Sequence, residues 1–221
     1  MDASNKRDFR HFVLLQHGVL GTPADVDALI CHLFHENERR GRGCRAELSS
    51  NTTKVLALPL DVTRTTNKHG GCIFTKGNLV CFAPGSNKFL GTNRSTCSCA
   101  KRVLREFLPV FSEWLDAARR ADDSLLCFSC VGHSFGGLIM REMLYLLLTA
   151  TELEGWESGL FAAVLRVREE LAELNVTLEN FVTIATPHCG VSECLLTPVY
   201  CGAWVLAKTC APSMQELLLM D

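Results

Sequence analysis

The sequence lacks long hydrophobic runs, and this absence excludes several classes of protein. The stretch from Met1 to Arg10 is polar and charged, so it cannot serve as a signal peptide or a membrane anchor. The most apolar later stretches, Leu144 to Leu148 and Val199 to Leu206, are much shorter than the roughly 20 residues of a spanning helix. We therefore expect a cytoplasmic protein without a transmembrane segment, for which peripheral contact with a membrane stays open.

An excess of charge of one sign is also missing. The formal net charge of −2 over 221 residues provides no basic field of the kind that nucleic acid requires. The composition, 48% hydrophobic and 21% charged, is typical of one soluble globular domain with a substantial core. We expect residues 1–221 to form a single domain that has no nucleic-acid partner.

Metal-ligand spacing is the third absence. The sequence contains 12 cysteines, but no Cys-x-x-Cys pair is accompanied by a second pair or by histidines at zinc spacing. Because no secretory signal is seen, these cysteines are better explained as reduced, buried and small hydrophobic residues. We expect neither a metal ion nor another cofactor.

Short apolar runs alternate with helical patterns along the chain. The runs predicted to be buried strands are Phe12 to Gln16, Val55 to Leu60, Leu125 to Val131 and Phe181 to Ala185. Between them, apolar residues recur at three- and four-residue spacing, as they do in helices that cover a sheet. Pro109 is expected to kink or split one of these helices. The strand and helix order predicts an α/β fold, a mostly parallel sheet with helices on both faces.

Two segments are predicted to be insertions. Residues 63–99 are rich in Asn, Thr, Gly, Ser and Lys, which favours a long loop. Residues 151–177 carry a further amphipathic helix. Both segments could form a lid over an acyl pocket, or they could be solvent-exposed insertions.

Residues 132–136 follow the Gly-x-Ser-x-Gly pattern in a context that gives it chemical meaning. Ser134 stands between a strand and an almost wholly apolar helix, where a sharp turn exposes its hydroxyl and leaves space only for glycine at Gly132 and Gly136. The N-terminus of that helix favours the negative charge that develops in acyl transfer. We predict that Ser134 is a nucleophile; the alternative is an ordinary turn that caps a buried helix.

His17 and Gly18 form a second element at the end of the first strand. An oxyanion hole uses the backbone N–H after the nucleophile and another from the loop after an earlier strand. The predicted donors are therefore Phe135 and Val19. Gly18 would let the loop approach the substrate carbonyl, and the His17 ring is expected to brace the loop. Taken alone, a His-Gly pair is more often an ordinary turn.

Three segments together resemble a known family: His17 to Gly21, Gly132 to Leu138 and Ala185 to Val191. In order and approximate spacing they are similar to the Putative serine esterase family of lipase-like proteins, which belongs to the α/β-hydrolase superfamily. Bacterial triacylglycerol lipases and GPI-inositol deacylases are more distantly similar. The resemblance implies an α/β-hydrolase fold whose central elbow strand is flanked by the strands ending at His17 and Ala185. It also implies hydrolysis of carboxylic esters, with lipid esters as the expected substrates.

The catalytic acid and base are not evident in the sequence. The resemblance implies the order Ser, then Asp or Glu, then His, with the acid and base after two further strands. Residues 192–221 show loop and helix patterns without strand signals. We therefore expect a sheet truncated after the strand that follows the elbow, which leaves that strand as an uncovered edge. The acid and base would then lie in sequence beyond residue 221.

Two residues within the chain could substitute for the missing groups. Glu193 is the carboxylate nearest in sequence to the fourth predicted strand, and His188 lies on a loop that should border the elbow. In the family, the histidine at this place looks structural. Two functions follow from the sequence: a serine esterase or lipase, or a catalytically inactive hydrolase-fold protein that serves as an interaction module.

Overall fold

The computed structural model describes residues 9–41, 57–121, 125–151, 155–191 and 212–219, together with Trp204 and Lys208. The strands are β1 (Phe9–Gln16), β2 (Thr63–Thr66), β3 (Cys72–Lys76), β4 (Leu79–Ala83), β5 (Leu125–His133) and β6 (Thr177–Ile184). The helices are α1 (Asp27–Gly41), α2 (Thr96–Ala121), α3 (Phe135–Thr149), α4 (Ser158–Glu173) and α5 (Pro212–Leu217).

All six strands belong to one sheet, in the order β2-β3-β4-β1-β5-β6. The four strands from β4 to β6 in this order run parallel, whereas β2 and β3 are antiparallel additions. The α/β fold with a mostly parallel sheet that the sequence predicts is confirmed. So are the neighbours of the elbow strand, because β5 lies between β1 and β6. In the described sheet β5 is the fifth strand of six rather than the central one.

Helices cover both faces of the sheet. One core joins α2, α3 and α4 to the sheet, and it contains Phe12 and Leu14 of β1. The other core lies under α1 and contains Val13 and Leu15 of the same strand. Because β1 is buried on both faces, its run is apolar throughout instead of alternating.

An aromatic cluster fixes the position of α2 on the sheet. The ring of Phe12 makes edge contacts with Phe107, Phe111 and Trp114 of α2, at centroid distances of 5.1 to 5.8 Å. Such pairs contribute roughly 0.5–1.5 kcal/mol each beyond the burial of their area. The cluster therefore holds the long helix α2 against the middle of the sheet.

The predictions for the region from residue 55 to residue 99 are partly wrong. Residues 57–60 of the predicted second strand are not a strand, and residues 55–56 lie outside the described residues. The side chain of Leu60 is fully exposed, so this apolar run finds no place in the sheet. Residues 63–99 are also not one long loop, since they supply the three strands β2, β3 and β4.

A two-residue turn explains why these strands form. Lys76 of β3 pairs with Leu79 of β4, and Gly77 and Asn78 connect them. Gly77 has a φ of 56°, as required by the turns that suit the twist of a hairpin. The hairpin lets the apolar strand β4 pair with β1 in parallel.

The two remaining predictions about helices have different outcomes. Pro109 lies inside α2, and the helix runs without interruption from Thr96 to Ala121, so it is not split. The amphipathic helix predicted within residues 151–177 is confirmed as α4, whose buried residues Leu160, Val164 and Val167 join the core beside α2. The assignment of either segment as an insertion or a lid stays a prediction.

The strand β6 lies at one edge of the described sheet. Several of its apolar side chains are more than 40% exposed, namely Leu178, Phe181, Val182 and Ile184. Its partner on the inner side is β5, paired from Cys127 with Thr177 to His133 with Ile184. The uncovered edge predicted from the sequence is therefore seen in the described part of the chain.

The described cysteines are free thiols. Six of these eight are buried, which fits the interpretation of cysteine as a small hydrophobic residue in this chain. Burial raises the pKa of the Cys99 thiol to about 11, so this group is protonated at neutral pH.

Among the helices of the described ranges, none is long and apolar enough to cross a membrane. The cytoplasmic location stays a prediction.

Candidate active site

Ser134 occupies a strained turn between β5 and α3. Its φ of 54° and ψ of −130° are rarely adopted by a residue with a side chain, and such a conformation costs roughly 1–3 kcal/mol. Hydrogen bonds hold it on both sides. The Ser134 N–H donates to the Ile184 carbonyl at 2.8 Å, and the Ser134 carbonyl accepts from Thr186 Oγ1 at 2.9 Å. The end of β6 therefore locks the serine in its strained conformation.

The glycines beside Ser134 stand where no side chain fits. A Cβ on Gly132 would lie 2.3 Å from the Cα of Gly137, and a Cβ on Gly136 would lie 2.3 Å from the carbonyl oxygen of Gln16. Both neighbours are backbone atoms, which cannot rotate away. The start of α3 contacts the ends of β5 and β1 so closely that only glycine fits at positions 132 and 136, as the Gly-x-Ser-x-Gly pattern predicts.

The loop after β1 lies directly against the serine. A Cβ on Gly18 would be 2.8 Å from the Cβ of Ser134 and 3.2 Å from its Oγ. The Gly21 N–H donates to the Gly18 carbonyl at 3.2 Å, which makes residues 18–21 a tight turn with Val19 and Leu20 at its corners. The structure therefore brings together the two segments predicted from the sequence, His17 to Gly21 and the elbow.

A second loop, which follows β4, fastens this turn from outside. The Leu20 N–H donates to Thr92 Oγ1 at 2.9 Å, and the Phe89 N–H donates to the Gly21 carbonyl at 2.9 Å. Leu20 and Phe89 both have positive φ, at 56° and 52°. These interactions keep the loops after β1 and β4 in one fixed arrangement at the carboxyl edge of the sheet.

His17 braces its own loop. Its side chain is almost fully buried, and its Nδ1 lies 3.0 Å from the Gly18 carbonyl, to which it donates in the neutral tautomer. No partner for Nε2 is found among the described residues. Burial lowers the pKa of His17, and the Gly18 hydrogen bond and the carboxylates of Asp25 and Glu106 offset part of this effect. The ring is thus held neutral as a structural support.

We expect acid to weaken the fold through His17. The pKa of His17 is about 6.5 in the unfolded chain and lower in the folded protein, so the folded protein binds this proton only at lower pH. Below about pH 6.5 the unfolded state binds more protons, so the free energy of unfolding falls by up to about 1.4 kcal/mol per pH unit from this group. We expect the free energy of unfolding, measured with urea between about pH 5 and 7, to change less with pH in His17→Gln than in the wild-type protein.

The exposed His133 offers the control for this measurement. The His133→Gln variant should keep the wild-type dependence of stability on pH, because it leaves the buried ring of His17 unchanged. Equal slopes for His17→Gln and the wild-type protein would contradict the buried neutral assignment.

The predicted substitutes for the catalytic acid and base are not brought to Ser134. The ring of His188 is exposed, with Nε2 at 3.1 Å from Thr183 Oγ1 and Nδ1 at 3.5 Å from Arg141. Glu193 lies outside the described residues. Within the ranges that the structure describes, Ser134 Oγ makes no hydrogen bond, and no cluster of His, Cys, Asp or Glu could hold a metal ion. An activating base is therefore not identified in this part of the chain.

Sequence reasoning missed two residues that shape the site. Thr186 binds the Ser134 carbonyl, and its side chain fills the space above Gly137. Glu106 of α2 is buried and accepts hydrogen bonds from the N–H groups of Gly85 and Ser86, in the loop after β4. Thr186 could have been suspected because it directly follows the predicted strand from Phe181 to Ala185, whereas Glu106 resembles an ordinary charged residue of a helix.

Comparison with known families adds to this geometry. Residues 74–220 match the family described as Putative serine esterase (DUF676). The chain belongs to this family. Membership in the Putative serine esterase family suggests a serine hydrolase at most, and the matched region includes β5, Ser134 and α3. The loop after β1 lies outside the matched residues. Neither a curated protein nor a solved structure matches the chain.

Proposed function

We propose that this protein hydrolyses carboxylic esters of lipids through an acyl-enzyme on Ser134. The observation that carries the proposal is the strained backbone of Ser134, held between β5 and α3. Strain of this kind persists only where surrounding structure enforces it, and it is common at catalytic nucleophiles. In the reaction, Oγ attacks the ester carbonyl, the alcohol leaves, and water then releases the acid from the serine.

The oxyanion of this reaction would be held by two backbone N–H groups. Phe135 is the first residue of α3, so its N–H has no partner within the helix and carries the positive end of the helix dipole. Val19 is at a corner of the turn beside Ser134, where its N–H is not needed for the turn hydrogen bond. Each donor of this kind contributes about 10²–10³-fold to rate in related chemistry.

Strain is concentrated at this edge of the sheet. Among the described residues, six residues other than glycine have positive φ. Four of them lie in loops that follow the carboxyl ends of strands: Leu20, Phe89, Ser134 and Ala185. Active sites of parallel sheets lie at such carboxyl ends. The distribution supports a functional site there, beyond the conformation of the serine alone.

Exposed apolar side chains support a lipid substrate. Leu20, Phe89 and Leu90 are 54%, 58% and 70% exposed, and they belong to the two loops that meet beside Ser134. We name these three residues the apolar rim. Contiguous apolar groups at a site indicate contact with an apolar ligand or surface. An acyl chain bound to the serine could lie along the rim.

Alkyl fluorophosphonate probes test the chemistry and the lipid preference together. The wild-type protein should be labelled covalently, faster by a long-chain probe than by a short-chain one, and Ser134→Ala should not be labelled at all. Removal of a nucleophile costs several orders of magnitude in rate. Ser158→Ala is the matched control, since Ser158 is an exposed serine at the start of α4. Its labelling should equal that of the wild-type protein.

The absence of an identified base favours a second function. In the described residues no group is placed to take the proton of Ser134 Oγ, and an unactivated serine is a poor nucleophile. The protein would then be an inactive hydrolase fold that binds partners. Folded wild-type protein that resists the long-chain probe would decide for this alternative and against the esterase.

A further inference from the structure

A cavity of about 520 Å³ opens at the carboxyl end of β4. Its walls come from the loop that follows β4 and from the start of α2, with His69 at one side. Ligands of open parallel sheets bind in crevices outside the carboxyl ends of the strands. The loop that lines this cavity also contacts the turn after β1, through the Phe89 N–H and the Gly21 carbonyl. The cavity is therefore next to the candidate active site and separate from Ser134.

The cavity carries an excess of positive charge. Four cationic side chains line it, Lys88, Arg94, Arg102 and Arg105, against the single carboxylate of Glu106. Arg105 pairs with Glu157, but Lys88 and Arg94 make no ion pair within the described ranges. Burial and the nearby charges of Arg94 and Arg105 lower the pKa of Arg102. Glu106 offsets part of this effect on the pKa of Arg102, but the four cations still outnumber the one carboxylate that lines the cavity.

The carboxylate of Glu106 is a single negative charge, and its hydrogen bonds go to neutral N–H groups of the cavity wall. Its Oε1 accepts hydrogen bonds from Asn67 Nδ2 at 2.7 Å and from the Gly85 N–H at 2.9 Å, and its Oε2 accepts one from the Ser86 N–H at 2.7 Å. Glu106 therefore serves to fix the wall of the cavity. A Cβ on Gly85 would lie 2.5 Å from backbone atoms of residues 69–71, so this wall is closely packed.

The wall of the cavity also contains unused hydrogen-bonding capacity. The Oγ of Ser86, a residue of the cavity wall, is shielded from solvent and has no partner among the described residues. Arg102 donates to the carbonyl oxygens of Ser86 and Gly91, which aligns its guanidinium along the wall. A tetrahedral oxyanion can accept hydrogen bonds from guanidinium, ammonium and hydroxyl groups at once.

We propose that this cavity binds a phosphate group. A phosphate adds negative charge where the cations outnumber the carboxylates, and it accepts hydrogen bonds from Arg94 and Lys88. The group can belong to a lipid head group or to free phosphate, which share this chemistry. Leu90 lines the cavity and Phe89 is next to it, so the apolar rim favours a head group whose chains leave along these side chains. The inference concerns binding and does not depend on chemistry at Ser134.

Thermal unfolding of the whole protein tests the site with inorganic phosphate as the probe. Sodium phosphate should raise Tm above its value in sodium chloride of equal ionic strength, because a ligand of the folded state stabilises it. Arg94→Gln should weaken the apparent affinity for phosphate about tenfold or more, since one charge-assisted hydrogen bond is lost. Arg120→Gln, at the exposed end of α2, is the matched control and should bind phosphate as the wild-type protein does.

Vesicles distinguish the two sources of the phosphate group. The protein should bind phosphatidylcholine vesicles that contain phosphatidic acid, and inorganic phosphate should compete, if the ligand is a head group. Phosphate binding without vesicle binding assigns the site to free phosphate and supports the same chemistry. Equal Tm values in phosphate and chloride, or Arg94→Gln with unchanged phosphate affinity, would overturn the proposal. Because Arg94 is exposed, its replacement leaves the core intact.

Discussion

Gly136→Ala is expected to lower the free energy of unfolding by at least about 3 kcal/mol, at the upper end of the usual cost of overpacking. The new Cβ would be 2.3 Å from the carbonyl oxygen of Gln16 and 2.4 Å from that of His17. These atoms end β1, which is buried between two helical layers and paired on both sides. The strand cannot retreat, so α3 has to move.

Movement of α3 disturbs much of the core. Ten of its fifteen residues are buried, and it packs against β5 and α2. The higher helix propensity of alanine returns only about 1 kcal/mol, which is smaller than the cost of the clash. Because whole domains are stable by roughly 5–15 kcal/mol, the variant should unfold at clearly lower urea concentration or accumulate poorly.

Gly159→Ala is the matched control for this prediction. Gly159 also lies in the first turn of a helix, α4, but a Cβ there would meet nothing within 4 Å. The control should be as stable as the wild-type protein or more stable by up to about 1 kcal/mol. A Gly136→Ala variant with the urea midpoint of Gly159→Ala would refute the packing between α3 and β1.

The parts of the fold that the sequence predicted well are those defined by local pattern. The β5 strand, Ser134 and α3 form one continuous stretch, where an apolar run, two glycines and an apolar helix follow each other directly. Such a stretch has few alternative structures, because the steric demands of the turn and the burial of both flanks agree. The strand β1 was equally clear, since its buried run is followed at once by His17 and Gly18.

The region between β1 and α2 could not be predicted by the same reasoning. Val55 to Leu60 and β4 are both short apolar runs, and periodicity cannot tell which one enters the sheet. The structure shows that β4 is the run that pairs with β1. Gly77 and Asn78 form the hairpin turn that brings β4 there, but the polar composition of the region favoured a loop instead. Long-range pairing therefore outweighed local hydrophobicity.

The phosphate cavity was invisible in the sequence for a related reason. Glu106 and the arginines of α2 look like the solvated face of an amphipathic helix. Their surroundings are supplied by residues 67–71 and 85–94, which reach α2 only because β3 and β4 fold as a hairpin. The cavity forms only where these two loops pack against α2, and the sequence did not predict that packing.

The arrangement of loops at the carboxyl edge connects the two proposals. Thr92 and Phe89 of the loop after β4 hold the turn after β1, and Gly18 of that turn contacts Ser134. A ligand bound in the cavity would thus contact the loop after β4, which holds the turn beside Ser134. The proposals nevertheless fail separately, because labelling of Ser134 and binding of inorganic phosphate are measured by different experiments.

Gly18→Ala is expected to slow fluorophosphonate labelling of Ser134 by roughly a hundredfold, with the fold retained. The added Cβ would lie 2.8 Å from the Cβ of Ser134, whereas carbon atoms in contact are normally 3.5–4.0 Å apart. The turn at residues 18–21 has to withdraw by a large part of 1 Å, which carries the Val19 N–H away from the oxyanion. Misplacement of this size can cost about 10²-fold in rate.

Gly18 is buried, but Val19 and Gly21 are partly exposed and Leu20 is half exposed. The fold should survive because residues 18–21 are not part of a strand or a helix, so the turn can move outward. Circular dichroism and urea unfolding should place Gly18→Ala within about 1–3 kcal/mol of the wild-type protein. Gly159→Ala serves again as the control and should label at the wild-type rate. Labelling of a folded Gly18→Ala variant at that rate would show that the turn after β1 has no part in stabilising the oxyanion, and the donor on that side would have to be sought elsewhere.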